Sequence, residues 1–340
     1  MKNYILQDEN SVYFECGYSC DNVIYLSLSG DNYFITDGRY EIEANLLAKN
    51  CEVIISNDLI RVARKILNKS KIKKLTFDPN DFTYLTYQKL TTNLKINFIQ
   101  KPFFSKQKRI IKNDNEIKYL KKAMELGRTG FKNFSNYIAK DGLDKSEKYL
   151  FFKAKEFMSF QGIYDLSFDP IVAINENSAK PHALPTAQRL QKNDLLLVDA
   201  GLKYKRYCSD RTCTSSASKN ITFKREQLFS KKTEQKVYDI VLKAQEKAIT
   251  KARSGMKASQ IDKLARDVIE KAGYGKYFVH STGHGVGLDI HEYPNINSRN
   301  NIILEDNMVF TVEPGIYLSK KFGVRIEDTI VMKNGKGEVL

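Results

Sequence analysis

At 340 residues the chain is long for one small domain, so two are expected, and its 42% apolar content excludes wholesale disorder. No apolar run reaches the roughly 18 residues of a membrane span, so a membrane partner is not expected. The net charge of +15 invites an anionic partner, but the lysines are scattered and no basic stripe interleaves with aromatics, so no nucleic-acid partner is expected either.

The start, MKNYILQDENSVYFECG, lacks an apolar stretch followed by small residues, which points to a cytoplasmic protein. Residues 23–29 (VIYLSLS) read as a strand, Gly30-Asp31-Asn32 as a turn, and residues 33–36 as the returning arm of a hairpin. A helix is expected over 41–48, a strand over 51–55, a helix over 60–67 and a strand over 74–77. Strands alternating with helices define an α/β module. The pattern lapses over residues 101–112, KPFFSKQKRIIK, with a proline and a basic run, and the domain boundary is placed there, between 106 and 107.

A long helix follows. Asn113 with Glu116 three residues on forms a capping box, and Ile117, Leu120, Met124, Phe131, Phe134 and Ile138 recur on one face. Further helices are expected over 237–252 and over 259–272, the latter stopped by Gly273. Apolar strands lie at 195–198, 308–312 and 329–332. The five cysteines are an odd, scattered set with no C-x-x-C pair, so reduced thiols are expected in place of disulfides or a thiolate zinc site.

Histidine is the best clue to chemistry. The chain has four, and three of them, His280, His284 and His291, fall within HSTGHGVGLDIHEYP; the fourth, His182, follows Lys-Pro. The cluster is not a helical H-E-x-x-H zinc motif. Gly283, Gly285 and Gly287 oppose a helix, and no Glu stands between the first two histidines. The glycines suit an extended backbone that is closely approached. The run lacks the G-K-[ST] ending of a phosphate loop.

Acidic residues at strand ends are the second clue. Asp199 ends LLLVD, and Asp210 lies eleven residues on in YCSDRT, so a strand, a turn and a returning strand bring the two together. Glu313 ends VFTV before Pro314-Gly315, and Glu327 sits in VRIEDTIV, a strand by alternation. Taken singly, each reads as a polar residue at a turn. Four in apolar settings are costly without a partner. Four carboxylates and one imidazole together make a two-metal site, in which carboxylates bridge divalent cations roughly 3.5 Å apart and activate a water. Oxygen-dominated ligation without sulfur suits Mn²⁺ ahead of Zn²⁺.

The ordered set Asp199, Asp210, His284, Glu313 and Glu327 resembles the ligand set of the pita-bread metallopeptidases: methionine aminopeptidase, Xaa-Pro dipeptidase (prolidase) and Xaa-Pro aminopeptidase (aminopeptidase P). The matching segments are VDAGLKYKRYCSDRT, HSTGHGVGLDIHEYP, VEPGIY and VRIEDT. HALPT at His182 fits a segment supplying an additional active-site histidine in the proline-specific branch, and YFITDGRY looks like the creatinase-type amino-terminal domain. The resemblance implies an α+β fold, with a pita-bread catalytic domain over 107–340 preceded by a smaller α/β creatinase-type domain over 1–106.

The resemblance also implies roles. Asp199 would chelate one metal, Asp210 and Glu327 would bridge both, and His284 and Glu313 would hold the other, with Glu313 also accepting a proton from the attacking water. His182, His280 and His291 would line the substrate and stabilise the tetrahedral gem-diolate. Arg325, two before Glu327 on the same expected strand face, would orient a carboxylate or contact substrate. Thr212 would donate to Asp210 from behind, and Cys208 would take no part in ligation. One departure is Arg206, where a small residue is common before Tyr-x-Ser-Asp.

The expected protein is thus a cytoplasmic Xaa-Pro aminopeptidase, a homodimer by resemblance, acting on peptides with proline second. It would use two divalent ions, Mn²⁺ first, with Co²⁺, Zn²⁺ or Fe²⁺ as alternatives. A prolidase is the runner-up. A metal-free creatinase-like hydrolase and a catalytically dead binding module both conflict with the complete ligand set.

Overall fold

In the computed structural model, which describes residues 2–340, the early alternation of strands and helices becomes one six-stranded sheet. Its elements are β1 (Asn3–Leu6), α1 (Glu9–Cys16), β2 (Val23–Leu28), β3 (Asp31–Thr36), α2 (Glu41–Leu47), β4 (Glu52–Ile55), α3 (Leu59–Lys69), β5 (Lys74–Phe77), α4 (Tyr84–Thr91), β6 (Asn97–Gln100) and α5 (Phe104–Lys108). The strand order is β4-β3-β2-β1-β5-β6. β2 is central and buried throughout, which is why its sequence is nearly all apolar. Ile24, Leu26 and Leu28 pack with Ala63 and Leu67 of α3 on one face; Val23 and Tyr25 pack with Val12 of α1 and Ala44 of α2 on the other. The stretch expected to be irregular over 101–112 contains α5.

The chain divides after Lys108 into a second unit, Arg109–Leu340. Here α6 (Asp114–Tyr137) opens with the capping box of Asn113 and Glu116. There follow α7 (Glu147–Met158), β7 (Ile171–Ile174), β8 (Leu195–Ala200), β9 (Lys203–Tyr204), β10 (Tyr207–Cys208), β11 (Arg211–Ser216), α8 (Lys232–Lys251) and α9 (Ala258–Lys271). The unit closes with β12 (Gly283–Gly285), β13 (Glu292–Ile296), β14 (Val309–Val312), β15 (Gly315–Leu318), β16 (Phe322–Arg325), β17 (Asp328–Lys333) and β18 (Lys336–Val339).

Each half of this unit sets a helix pair against a sheet. Phe131 and Phe134 of α6 and Leu150 and Met158 of α7 pack on Val172, Leu196 and Val198 of the β11-β8-β7 sheet. Val241 and Ala248 of α8 and Ile261 and Ala265 of α9 pack on Phe310 and Ile330 of the β13-β12-β14-β17-β18 sheet. No helix among the described residues is long and apolar enough to cross a membrane.

Two expectations are corrected. Residues 324–331 are not one strand: β16 pairs with β15, whereas β17 pairs with β14 and β18, and Glu327 stands at the crossing. The hydrogen-bonding partner changes between Arg325 and Asp328, and alternation in the sequence does not report the partner. The Glu327 N–H bonds instead to the Thr212 carbonyl at 3.0 Å, tying the crossing to β11. Helix α9 begins at Ala258, with the Gln260 side chain accepting from the Lys257 N–H at 2.8 Å, one residue ahead of the Ser259 start.

The unusual Arg206 lies in the two-residue turn of the β9–β10 hairpin, where Tyr204 faces Tyr207. Lys205 and Arg206 both hold left-handed backbone, at φ +48° and +69°. Such a turn favours Asn-Gly, because a side chain there crowds the backbone. Removing that strain returns about 1–2 kcal/mol and the flexibility of glycine takes back about 0.5–1 kcal/mol. Arg206→Gly is therefore expected to raise stability by about 0.5–1 kcal/mol. A denaturation curve checks it, and a destabilised variant would contradict the strain argument.

Candidate metal centre and substrate cavity

The strands of the second unit end around one cavity of about 500 Å³, lined by all nine singled-out residues: Asp199, Asp210, His284, Glu313, Glu327, His182, His280, His291 and Arg325. Asp199 sits near the end of β8, directly opposite Thr212 of the antiparallel β11, and Asp210 immediately precedes β11. Glu313 follows β14, with its N–H bonded to the Thr282 carbonyl at 2.7 Å. His284 occupies the middle of β12. A Cβ on the next residue, Gly285, would lie 2.1 Å from the Tyr293 carbonyl oxygen, so only glycine lets β13 approach this closely.

The donors converge. Asp210, His284 and Glu327 each bring a ligand atom within 4.8 Å of the others, and His284 Nε2 lies 3.5 Å from Asp210 Oδ2 and 3.4 Å from Glu313 Oε1. His284 Nδ1 faces the Gly285 carbonyl at 3.0 Å and must carry the proton, which leaves Nε2 as a free lone pair toward the carboxylates. Neighbours hold the carboxylates in turn. Thr212 donates to Glu327 Oε2 at 2.7 Å, Thr311 to Glu313 Oε1 at 3.2 Å, and Arg325 Nη2 to Asp199 Oδ2 at 2.6 Å. Thr212 thus serves Glu327 and not Asp210, because its side chain points across to the β16–β17 crossing. Cys208 is buried, and its Sγ contacts the Leu288 carbonyl, away from the donor set.

This set fits divalent cations. Asp199 Oδ1 and Glu327 Oε1 are buried with no hydrogen-bond partner among the described residues, an expensive arrangement for carboxylate oxygens unless a cation meets them. Burial, and then the neighbouring carboxylates, push Asp210 and Glu327 well above the usual carboxylate range. Burial pushes Glu313 up to about 8. Bound cations invert this logic, since each carboxylate then meets positive charge.

Arg325 ties the centre to one wall. Its guanidinium donates to Asp199, to Thr212 Oγ1 at 2.9 Å, to the Pro181 carbonyl at 3.1 Å and to the Tyr317 hydroxyl at 2.9 Å. Arg325 and Glu327 are therefore linked through Thr212 and not by sharing a strand face. Tyr317 in turn donates to His280 Nε2 at 2.8 Å, because His280 Nδ1 is turned to the Ser281 carbonyl at 2.7 Å. Burial, with the Arg325 charge next, pushes His280 down to about 4, so it stays neutral at pH 7. Both its ring nitrogens are engaged by the protein, which makes it the end of a relay. His182 and His291 are exposed, and the His291 ring packs edge-on against His284 at 4.4 Å.

Sequence reasoning missed Tyr317, although the VEPGIY segment contains it, and the apolar wall of Phe168, Ile171, Leu184 and Ile290. Leu184 lies within HALPT; Phe168 and Ile171 carry no signal, since nothing in an apolar residue distinguishes a cavity wall from a core.

A pair of helix-backed sheets around a carboxylate-rich cavity, with a separate amino-terminal module, defines a two-domain metal-dependent hydrolase. The sequence matches the models of metallopeptidase family M24 over residues 118–334 and of the creatinase/prolidase N-terminal domain over residues 1–102, and the chain belongs to the M24 family. It is similar to a Xaa-Pro dipeptidase of Pyrococcus furiosus, 38% identical over 231 residues, covering 68% of this chain and 63% of that one. The structure is similar to a Xaa-Pro dipeptidase from Bacillus anthracis, with 33% identity, a TM-score of 0.90 and coverage of 99% and 92%. It is also similar to an X-Pro aminopeptidase from Thermotoga maritima, with 31% identity, a TM-score of 0.87 and coverage of 100% and 95%. The expected α+β fold, with a creatinase-type domain before a pita-bread metallopeptidase domain, is the fold found.

Proposed function

We propose that this peptidase hydrolyses the bond preceding proline, and that it acts on Xaa-Pro dipeptides, as a prolidase. The observation that carries the hydrolytic reading is the convergence of three buried carboxylates, the half-buried Glu313 and the His284 Nε2 lone pair on one cavity. The dipeptidase reading is supported by the names of the Pyrococcus furiosus and Bacillus anthracis relatives. It replaces the aminopeptidase expected from the sequence.

Asp199, Asp210, His284, Glu313 and Glu327 would hold two divalent cations, Mn²⁺ first for so oxygen-rich a set, which when bound supply an activated water and a polarised scissile carbonyl. Glu313, held by Thr311, would accept the proton of the attacking water. His291 and His182, accessible on the cavity wall, contact the substrate and donate to the oxygen that gains charge in the transition state. Tyr317 and His280 support Arg325, and Arg325 fixes Asp199. The apolar wall excludes water around the proline ring.

One observation favours the second reading, a Xaa-Pro aminopeptidase. Arg325 is the only Lys or Arg among the described residues on the cavity wall, and four of its five N–H donors already serve Asp199, Thr212, Tyr317 and Pro181. The free carboxylate of a dipeptide then falls to neutral or imidazole donors of the wall, among them His182, His291 and Asn295. Comparing kcat/KM for a Xaa-Pro dipeptide and the matching Xaa-Pro-Xaa tripeptide decides between them. The dipeptide is expected to be preferred by at least about tenfold, the equivalent of one modest polar contact of about 1.4 kcal/mol. His182→Ala is expected to raise KM for the dipeptide more than for the tripeptide. Preference for the tripeptide establishes the aminopeptidase, and failure to cleave either substrate ends the proline-specific reading.

A further inference from the structure

The basic run before α6 is not a solvated linker. Arg109 and Lys112 are each only 1% exposed, and both meet Glu292, whose side chain is fully buried. Lys112 Nζ donates to Glu292 Oε2 at 2.7 Å and to the Arg109 carbonyl at 2.6 Å. Arg109 Nε donates to Glu292 Oε1 at 3.1 Å, and Arg109 Nη2 to Asp289 Oδ2 at 2.5 Å. Two cations and two carboxylates thus balance in a water-poor site. Apolar residues of similar volume would often fold as well or better there, so stability alone is a weak account of such a cluster.

Its location suggests another. Glu292 is the first residue of β13, immediately after His291, and it pairs with Gly285 immediately after His284. The Glu292 carboxylate also folds back under the preceding loop. It accepts from the Asp289 N–H at 3.2 Å, and a Cβ on Gly287 would fall 2.4 Å from Glu292 Oε2. The same loop is held from its other side by the Cys208 N–H, 2.8 Å from the Gly287 carbonyl. The exposed His291 ring, which rests on His284, is therefore carried by a segment pinned through Glu292.

We infer that Arg109, Lys112 and Glu292 are positioning residues: their buried ion cluster fixes the backbone carrying His291 and so aims that ring at the substrate. The inference rests on the reading of His291 as a substrate contact. A charged anchor suits this task because its hydrogen bonds are directional, whereas apolar packing tolerates sliding.

The test uses full-length, manganese-loaded protein and the double variant Lys112→Met/Glu292→Gln, which removes one charge of each sign. Activity of the parent on a Xaa-Pro dipeptide or tripeptide is established first, so a failure of the functional reading is seen separately. A misplacement of about 1 Å costs on the order of 10²-fold in rate, so kcat is expected to fall about 10–100-fold. KM should stay within about threefold, with two manganese ions still bound per chain. The same double variant in a His291→Ala background is expected to lose less than about twofold further. An unchanged kcat per folded molecule, or an equal loss with and without His291, would overturn the inference and leave the cluster as a fold anchor. Should the double variant not fold, Lys112→Gln, which keeps the Arg109–Glu292 pair, is subject to the same two outcomes in both backgrounds.

Discussion

Glu327→Gln and Asp210→Asn are each expected to reduce kcat by at least about 10³-fold, because activation of the water and the carbonyl by bound cations supplies several kcal/mol of barrier lowering. Glutamine has the shape of glutamate, so the Thr212 hydrogen bond and the backbone tie at the β16–β17 crossing survive, and what changes is the charge. The stability signature separates this from damage to the fold. Without metal, burial and the neighbouring carboxylates make ionising Asp210 or Glu327 costly, and an amide in place of either carboxyl removes that cost. The metal-free variant should melt at or above the temperature of the metal-free parent. With Mn²⁺ present the order reverses, since a ligand that binds only the folded state stabilises it in proportion to its affinity, and the variant binds less. Exhaustive chelation of the parent should abolish turnover, and Mn²⁺ should restore it. A chelated, metal-free parent at full activity, or either variant at parental rates, would remove these residues from the metal centre.

The candidate site was legible in the sequence to an uneven degree. The donor types were visible because chemistry-bearing residues stood out against apolar strands: a chain with four histidines, three of them in fifteen residues, marks its own cavity. The antiparallel approach of Asp199 and Asp210 followed from two apolar strands and a short connection. Partners across large sequence separations were not visible. Thr212 was expected to serve the nearby Asp210, yet bonds Glu327, 115 residues on, because the β11 edge meets the crossing between two sheets. Arg109 and Lys112 fell in the proline-containing basic run read only as the domain boundary, and their partner Glu292 lies 183 and 180 residues away. Tyr317 has the composition of a core aromatic; only its placement between Arg325 and His280 gives its hydroxyl a task. Helix α7 was also missed, although Ser146 caps it and Leu150, Ala154 and Met158 recur at four-residue steps on its buried face. Substrate length depends on what receives one carboxylate, a matter of unspent donors that no motif encodes.

Arg325→Lys and Arg325→Met carry the second large effect, and together they separate charge from shape. The guanidinium is fully enclosed and spans Asp199, Thr212, Tyr317 and the Pro181 carbonyl, four acceptors in directions that an ammonium cannot reach at once. Arg325→Met leaves the Asp199 carboxylate without its ion-pair partner, and losing one member of a buried pair costs about 3–5 kcal/mol. Bound Mn²⁺ replaces part of the missing positive charge, so the loss in melting temperature should be larger for metal-free protein than for loaded protein. Arg325→Lys keeps a cation for Asp199 and should recover most of that stability. It cannot also hold Tyr317 and Pro181, so the wall bearing His182 loosens. Groups that orient metal ligands from behind typically contribute 10–100-fold in metal affinity or activity. Both variants are therefore expected to need about 10–100-fold more Mn²⁺ for half-maximal activity. At saturating Mn²⁺, Arg325→Lys should still show a lowered kcat, and Tyr317→Phe, which breaks the relay while sparing the Asp199 pair, should share that lowered kcat with unchanged manganese affinity. A manganese titration of rate, run beside melting curves with and without metal, resolves the three variants. If Arg325→Met bound Mn²⁺ as tightly as the parent, Arg325 would not be what holds Asp199 in place.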